Sequence, residues 1–148
     1  MRDDSADRNA IRNLMARYSL ASDCGRFEAL AETFAEDGTL CFSGQATTGR
    51  AAIVARLNQR GPRNPALTFT RHHLTTSLIE VEGERATGKT YFQVLTNIGL
   101  DHCGVYLDTF VSQDGNWSFA RREARVDWQA PQSLYPPLQP RSRVPDGD

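Results

Sequence analysis

The residues T-F-T-R-H-H-L-T-T-S-L-I-E, at positions 68–80, have the alternating character of a β-strand and include two of the three histidines in the chain. Side chains along a strand point alternately to the two faces of its sheet. An arginine is costly on a buried face without an anionic partner, so the face with Arg71 and His73 is predicted to meet solvent. His72 then points into the interior. The predicted inward face consists of Thr70, His72, Leu74, Thr76 and Leu78.

The chain after this point is typical of an antiparallel meander. Strand-like runs are separated only by short turn segments, such as Glu82-Gly83-Glu84 and Asp114-Gly115-Asn116. Parallel neighbours would need a crossover of a dozen residues or more, so these joins favour antiparallel pairing. The predicted strands span residues 66–81, 85–98, 101–112 and 117–128.

Helices are predicted before the meander. In the first of them, Ile11, Leu14, Met15 and Tyr18 recur at helical spacing and form an apolar stripe. Helices followed by a meander predict an α+β fold, in which three N-terminal helices pack on one face of a curved, mainly antiparallel sheet and leave a pocket between the layers. The predicted elements are helices at residues 4–24, 26–35 and 49–59 and a short strand at residues 39–43.

The length of 148 residues fits one domain, which we assign to residues 1–130. Residues 131–148 contain five prolines and are predicted to form a C-terminal tail rather than a domain. The end of this tail is expected to be disordered. Leu134, Tyr135 and Leu138 are expected to dock on the body of the domain or on a neighbouring subunit.

The composition excludes several classes of function. A formal net charge of -1 gives no basis for binding nucleic acid or an anionic membrane. The first residues lack the apolar core of a signal peptide, so a cytoplasmic location is expected. Cys24, Cys41 and Cys103 show no C-x-x-C spacing and predict neither a disulfide framework nor a zinc site. We expect no metal site of histidines and carboxylates, because only one histidine is predicted to point inward.

Four side chains are candidates for chemistry: His72, Asp23, Tyr18 and Arg122. Asp23 ends the first helix, where a carboxylate opposes the helix dipole and needs another reason to be there. Arg122 lies among small and apolar residues of the last strand and would need an anion if buried. An aspartate bonded to a histidine favours proton transfer, in which a tyrosine or an arginine can stabilise an oxygen.

Each candidate also has a structural explanation. His72 can be a satisfied core histidine, Asp23 a cap of the second helix, and Tyr18 a filler of the core. Arg122 can form a structural ion pair. His102, beside Asp101 at the start of a strand, is predicted to be exposed.

The chain resembles the SnoaL-like branch of the NTF2-like (cystatin-like) superfamily over residues 10–128. The resemblance is carried by the order of elements and by three stretches. These are A-I-R-N-L-M-A-R-Y-S-L-A-S-D at residues 10–23, T-R-H-H-L-T-T at residues 70–76 and D-G-N-W-S-F-A-R-R at residues 114–122. Family members such as scytalone dehydratase, bile acid 7α-dehydratase and lindane dehydrochlorinase use a catalytic Asp–His dyad.

This resemblance implies a cofactor-free lyase or isomerase of the dehydratase type, with an apolar polycyclic or aromatic substrate and a homodimeric or homotrimeric state. The family's dyad falls on Asp23 and His72, a family tyrosine on Tyr18 and a family arginine on Arg122. The lindane enzyme has a lysine at the tyrosine position, so its chemistry is not implied. The second catalytic histidine of scytalone dehydratase has no counterpart in Thr90-Tyr91-Phe92-Gln93.

A non-enzymatic alternative rests on a second resemblance. The small β subunits of ring-hydroxylating dioxygenases share the R-H-x-x-T run at residues 71–75 and the W-x-x-A-R-R ending at residues 117–122. That resemblance implies a scaffold subunit, and a ligand-binding protein of the same fold is a related possibility. The position of Asp23 favours the enzyme, because a scaffold has no need of a carboxylate facing His72.

Overall fold

A computed structural model describes residues 3–138 as three helices and one six-stranded sheet. The helices are α1 (Ser5–Asp23), α2 (Phe27–Ala31) and α3 (Arg50–Asn58). The strands are β1 (Phe34–Phe42), β2 (Gln45–Thr48), β3 (Thr70–Glu82), β4 (Arg85–Thr96), β5 (Gly99–Gln113) and β6 (Asn116–Gln129).

The sheet has the strand order β2-β1-β6-β5-β4-β3. The pairs β1–β2, β3–β4, β4–β5 and β5–β6 are antiparallel, and β1 pairs parallel with β6. The sheet is curved and does not close, and α1 packs against β3 and β6 while α3 packs against β1 and β2. This arrangement confirms the predicted α+β fold and its antiparallel meander.

The core lies between α1 and the sheet. The apolar stripe of α1 is buried as predicted, with Ile11 and Leu14 fully inside. It packs with Phe34 of β1 and Phe119 of β6, whose ring centroids are 5.2 Å apart. Burial of these large side chains is the main stabilising contribution, at about 25 cal/mol for each Å² of apolar surface removed from water.

The second helix is shorter than the prediction of residues 26–35. It ends at Ala31, and the chain enters β1 at Phe34. The hydroxyl of Thr33 donates to the carbonyl oxygen of Leu30 at 2.5 Å, and the carbonyl oxygen of Thr33 accepts the N–H of Phe119 at 2.9 Å. Residues near Phe34, which helical spacing alone would assign to α2, therefore belong to β1 and pair with β6.

Strand β2 has no counterpart in the sequence prediction. It pairs with β1 through a two-residue turn at Ser43 and Gly44, whose φ angles are 51° and 72°. Two consecutive positive φ angles define the turn type that suits the twist of a hairpin. Glycine takes this conformation without strain, and Ser43 takes it at a small cost.

A register shift in β3 lies between Leu74 and Ser77. Alternation is interrupted there, so the predicted inward positions of Thr76 and Leu78 are wrong. Leu78 is 64% exposed, and Ile79 occupies the core instead. The predicted alternation holds for the first residues of the strand, where His72 is half-buried and His73 is exposed.

The described part of the tail, residues 131–138, packs on the body and is called the C-terminal segment below. The N–H groups of Leu134 and Leu138 donate to Asp101 and Gln129. Residues 139–148, which include the end predicted to be disordered, lie outside the described residues. Within residues 3–138, no helix combines the length and the apolarity needed to cross a membrane.

Candidate functional site

An open cavity of about 1200 Å³ lies between the helices and the sheet. All three helices contribute to its wall, together with the sheet, the loop of residues 59–64 after α3 and the C-terminal segment. Most of the remaining wall is apolar. The side chains in the wall that can act chemically include Tyr18, Arg60, Arg63, His72, His102, Tyr106 and Tyr135.

The carboxylate of Asp23 and the imidazole of His72 meet at the edge of this cavity. Asp23 is the last residue of α1, and His72 is the third residue of β3. Oδ1 of Asp23 lies 2.5 Å from Nδ1 of His72, and Oδ2 accepts the backbone N–H of His72 at 3.1 Å. The structure therefore brings together the two residues that were predicted to form a dyad.

The contact determines which nitrogen of His72 is available. An ionised carboxylate only accepts hydrogen bonds, so Nδ1 of neutral His72 carries the proton and Nε2 keeps a lone pair. His72 lines the cavity, whereas Asp23 lies behind it with its side chain 6% exposed. The backbone N–H and Nδ1–H of His72 both donate to Asp23. These two hydrogen bonds explain why a carboxylate is tolerated at the C-terminal end of α1.

The rings of Tyr18 and Tyr106 together line one part of the cavity, which is called the floor below. Their ring centroids are 6.2 Å apart in an edge-to-face arrangement. Burial raises the pKa of Tyr18, and burial likewise raises the pKa of Tyr106. Both phenols are therefore protonated near neutral pH and can donate a hydrogen bond to a substrate oxygen.

Arg122 lies beneath this floor and is 0% exposed. Its Nε and Nη2 donate to the two carboxylate oxygens of Asp108 at 2.9 and 2.8 Å. Its guanidinium carbon is 3.8 Å from the ring centroid of Tyr106 and 4.4 Å from that of Tyr18. Burial alone would lower the pKa of Arg122, but Asp108 raises it, so the arginine is a permanent cation.

A direct role for Arg122 in holding a substrate oxygen does not fit this position. The side chain is covered by aromatic rings and already has a bidentate anionic partner in Asp108. Its contacts are those of a structural ion pair, which was the alternative explanation of Arg122 in the sequence analysis. Its charge still matters to the site, because it opposes the effect of burial on the pKa of Tyr18 and of Tyr106.

His102 is not exposed, contrary to the sequence prediction: only 6% of the residue is accessible. In the sheet register, His72 pairs with Val94, and Val94 pairs with His102. Directly paired residues point to the same face, so both histidines face the cavity. The missed signal was the alternation of β5, in which His102, Tyr106 and Phe110 share the inward face.

His102 has its own carboxylate partner. Nδ1 of His102 lies 2.8 Å from Oδ1 of Asp101. Burial lowers the pKa of His102, although Asp101 acts in the opposite direction. Burial would raise the pKa of Asp101, but donors from Ser133, His102 and Leu134 outweigh it and lower that pKa. The cavity thus contains a second pair of a histidine and an aspartate.

The C-terminal segment covers one side of the cavity. The hydroxyls of Tyr135 and Thr70 are 2.8 Å apart, which links the segment to the strand that carries His72. Ser133 Oγ donates to Asp101 at 2.6 Å, which links it to the residue beside His102. The tail is therefore part of the wall around both histidines.

The described residues contain no group of three or more histidine, cysteine or carboxylate side chains placed to hold a metal ion. The prediction that only one histidine points inward is wrong, since His72 and His102 both do. Each of them has its Nδ1 engaged by its own aspartate.

The family model of the SnoaL-like domain matches residues 3–123. The chain belongs to this family. No curated protein matches it. The SnoaL-like family includes polyketide cyclases and dehydratases.

Solved structures of the same fold are similar to this SnoaL-like domain over most of its length. One is a variant of Rv3472, a Mycobacterium tuberculosis protein of unknown function, at 33% identity, covering 82% of this chain and 72% of that one, with a TM-score of 0.71. An NTF2-like protein with a cystatin-like fold from Novosphingobium aromaticivorans is also 33% identical, covers 81% of each chain and has a TM-score of 0.71. A provisionally assigned scytalone dehydratase from the same species is 26% identical, covers 93% and 95%, and has a TM-score of 0.75.

Proposed function

We propose that this SnoaL-like protein is a cofactor-free lyase or isomerase of the dehydratase type that acts on an apolar polycyclic or aromatic small molecule. The observation that carries the proposal is the contact of Asp23 with His72 at the wall of the cavity. It supplies a general base whose tautomer is set and whose protonated form has a partner.

His72 Nε2 takes a proton from a carbon next to an activating group of the substrate, such as a carbonyl. In a dehydration, the electron pair left on that carbon forms a C=C bond as the C–O bond to the neighbouring hydroxyl breaks. The imidazolium, stabilised by Asp23, returns the proton to the leaving hydroxyl, which departs as water. In an isomerisation, the same proton returns to a different carbon.

The oxygen that gains negative charge during proton removal is stabilised from the floor of the cavity. Tyr18 and Tyr106 are protonated donors, and the cation of Arg122 lies directly beneath both rings. Preorganised donors of this kind stabilise developing charge without reorganising during the reaction. In this role Arg122 positions and polarises the tyrosines and does not touch the substrate.

The relationship to known proteins supports the same reaction class. The family includes dehydratases, and the relative provisionally assigned as a scytalone dehydratase covers nearly the whole chain. The wall of the cavity includes apolar side chains such as Leu40, Leu57 and Phe92, which suit an apolar substrate.

The proposal is tested on fused-ring compounds that carry a hydroxyl group β to a carbonyl. Loss of water is followed by absorbance, and exchange of the acidic C–H in D₂O is followed by NMR. The wild type is expected to catalyse both, and His72→Ala is expected to lower the rates by about 10²–10⁴-fold. His73→Ala is the matched control, because His73 is the exposed neighbour on the same strand. Full activity of His72→Ala would refute the proposal.

The non-catalytic alternative makes a different prediction about assembly. A small subunit of a ring-hydroxylating dioxygenase forms a stable complex with a larger iron–sulfur subunit. The enzyme proposed here is expected to elute from native extract as a homodimer or homotrimer. Size-exclusion chromatography combined with mass spectrometry separates the two outcomes.

A further inference from the structure

Arg60 is a solvent-exposed arginine at the wall of the cavity. The residue lies just beyond the C-terminal end of α3 and lines the cavity. Its guanidinium carbon is 4.4 Å from the ring centroid of Phe42. Arg56, one turn earlier, packs its guanidinium carbon 4.6 Å from the same ring. Arg63, three residues further along the chain, also lines the cavity.

No carboxylate among residues 3–138 is within ion-pair distance of Arg60 or Arg63. The other arginines at or below the cavity do have anionic neighbours: Arg122 bonds Asp108, and Arg125 bonds Glu123 at 3.1 Å. The aspartates beside the cavity are engaged by the histidines. Arg60 and Arg63 are both exposed, so water solvates their charges, and both guanidinium groups remain available to an anionic ligand that enters the cavity.

The charge of Arg60 acts on ionisable groups around the cavity. Desolvation by neighbouring protein atoms lowers the pKa of Arg60, and Arg56 lowers it further, yet an arginine keeps its proton. The positive charge of Arg60 in turn acts to lower the pKa of Tyr18 and of His102. Its field therefore reaches both the floor and the second histidine.

We propose that Arg60 is the anchor for an acidic group on the substrate. The substrate would then be an apolar ring compound that carries an anionic oxygen group, a carboxylate or a phosphate, with Arg63 as a secondary contact. The planar fork of a guanidinium matches two oxygens of either group. This inference rests on the proposed function in one respect, because only an enzyme has a substrate. The anion-binding site itself can be tested without turnover.

Two fluorescent dyes of similar shape provide the test. 8-Anilinonaphthalene-1-sulfonate is apolar and anionic, and N-phenyl-1-naphthylamine is its neutral counterpart. The wild type is expected to bind the anionic dye more tightly. Arg60→Gln is expected to raise the Kd of the anionic dye about tenfold while the Kd of the neutral dye changes less than twofold.

Arg56→Gln is the matched control, because Arg56 packs on the same Phe42 ring but bonds Gln45. It is expected to leave the ratio of the two Kd values unchanged. Arg60→Lys keeps the charge without the fork and is expected to fall between wild type and Arg60→Gln. A cooperative thermal transition in each variant confirms that the dyes report on native protein.

Two results would overturn the anchor: equal affinity of the wild type for both dyes, or a ratio of the two Kd values that is unchanged in Arg60→Gln, whether neither dye or both dyes lose affinity. Competition of the anionic dye by 2-naphthoate and by 2-naphthyl phosphate, against 2-naphthylmethanol, identifies the preferred acidic group. Stronger competition by the alcohol than by either acid would also contradict the proposal.

The anchor and the proposed reaction fail separately. His72→Gln is expected to abolish turnover and to leave the ratio of dye affinities as in the wild type. If Arg60→Gln leaves that ratio unchanged while His72→Gln is inactive, the reaction stands and the anchor falls. The opposite pattern would keep the anion site and reject the reaction.

Discussion

The carboxylate of Asp23 accepts two hydrogen bonds from His72, one from the imidazole Nδ1 and one from the backbone N–H. The side chain at the end of α1 therefore holds the start of β3 as well as the ring. Orientation of the base and attachment of its strand to the helix depend on the same group.

Substitutions of Asp23 are expected to separate these two effects. Asp23→Asn keeps an oxygen that can accept the backbone N–H, but its amide can donate to Nδ1 and reverse the tautomer of His72. We expect kcat to fall by about 10²–10⁴-fold with a small change in stability. Asp23→Ala removes both acceptors and is expected to cost in addition about 1–3 kcal/mol of unfolding free energy. Kinetics and urea unfolding of both variants measure this, and equal activity of Asp23→Asn and wild type would contradict it.

The pair of Arg122 and Asp108 is expected to act mainly on stability. Arg122→Met leaves Asp108 as an uncompensated buried charge and should cost about 3–5 kcal/mol of unfolding free energy. The double variant Arg122→Met with Asp108→Leu should regain most of this loss. Urea unfolding tests both, and an Arg122→Met protein as stable as the wild type would contradict the prediction.

The stability of the protein is expected to fall between pH 7 and pH 5 because of His102. Its pKa is lowered in the folded state, from an ordinary value of 6.5, by burial. The unfolded chain therefore binds more protons in this range, and the free energy of unfolding rises with pH. The groups that influence His102 are Asp101, His72 and Arg60. Asp101, whose pKa is also lowered, adds a loss of stability with the same sign only at more acidic pH.

Thermal melting across this pH range provides the measurement. His102→Gln is expected to show a shallower decline from pH 7 to pH 5 than the wild type. His73→Gln is the control, because His73 is an exposed histidine. This variant should follow the wild-type slope. Identical slopes for His102→Gln and wild type would show that His102 does not cause the decline.

Gly104 lies where β5 and β6 approach closely. A Cβ at this position would be 1.9 Å from the carbonyl oxygen of Arg125 and 3.0 Å from the ring of Phe92. Gly104→Ala is expected to destabilise the protein by about 3 kcal/mol, because the backbone must move. In Gly88→Ala, the atom nearest to the new Cβ belongs to the side chain of Phe110, at 3.0 Å. This substitution should therefore cost less. Chemical denaturation compares the two.

The meander was predictable from the sequence because it depends on local patterns. Alternation around His72, short turns and the apolar stripe of α1 all act over a few residues. The family resemblance then directed attention to Asp23, which the fold places beside His72. The sequence indicated that a buried Arg122 would need an anionic partner, but it did not identify Asp108 as that partner.

Irregularities of the strands explain most of what was missed. The register of β5 and β6 shifts between Thr109 and Phe110, so that Asp108 pairs with Arg122. An uninterrupted hairpin from the Asp114 turn would place Asp108 opposite Arg121 instead. A bulge of one residue depends on the packing of the whole sheet and leaves no local pattern in the sequence. The burial of His102 depends likewise on the C-terminal segment, far along the chain.

The parallel pairing of β1 with β6 has a consequence for how the chain is made. Within residues 3–138, strand β1 is joined to the meander only through β6, which is synthesised after the other five strands of the sheet. Until then Phe34 and the apolar stripe of α1 lack Phe119, their partner in the core. Contacts between such distant segments slow folding and leave apolar surface open in the meantime. We therefore expect a nascent chain ending before β6 to need protection by a chaperone, although most of its helices and strands are already synthesised.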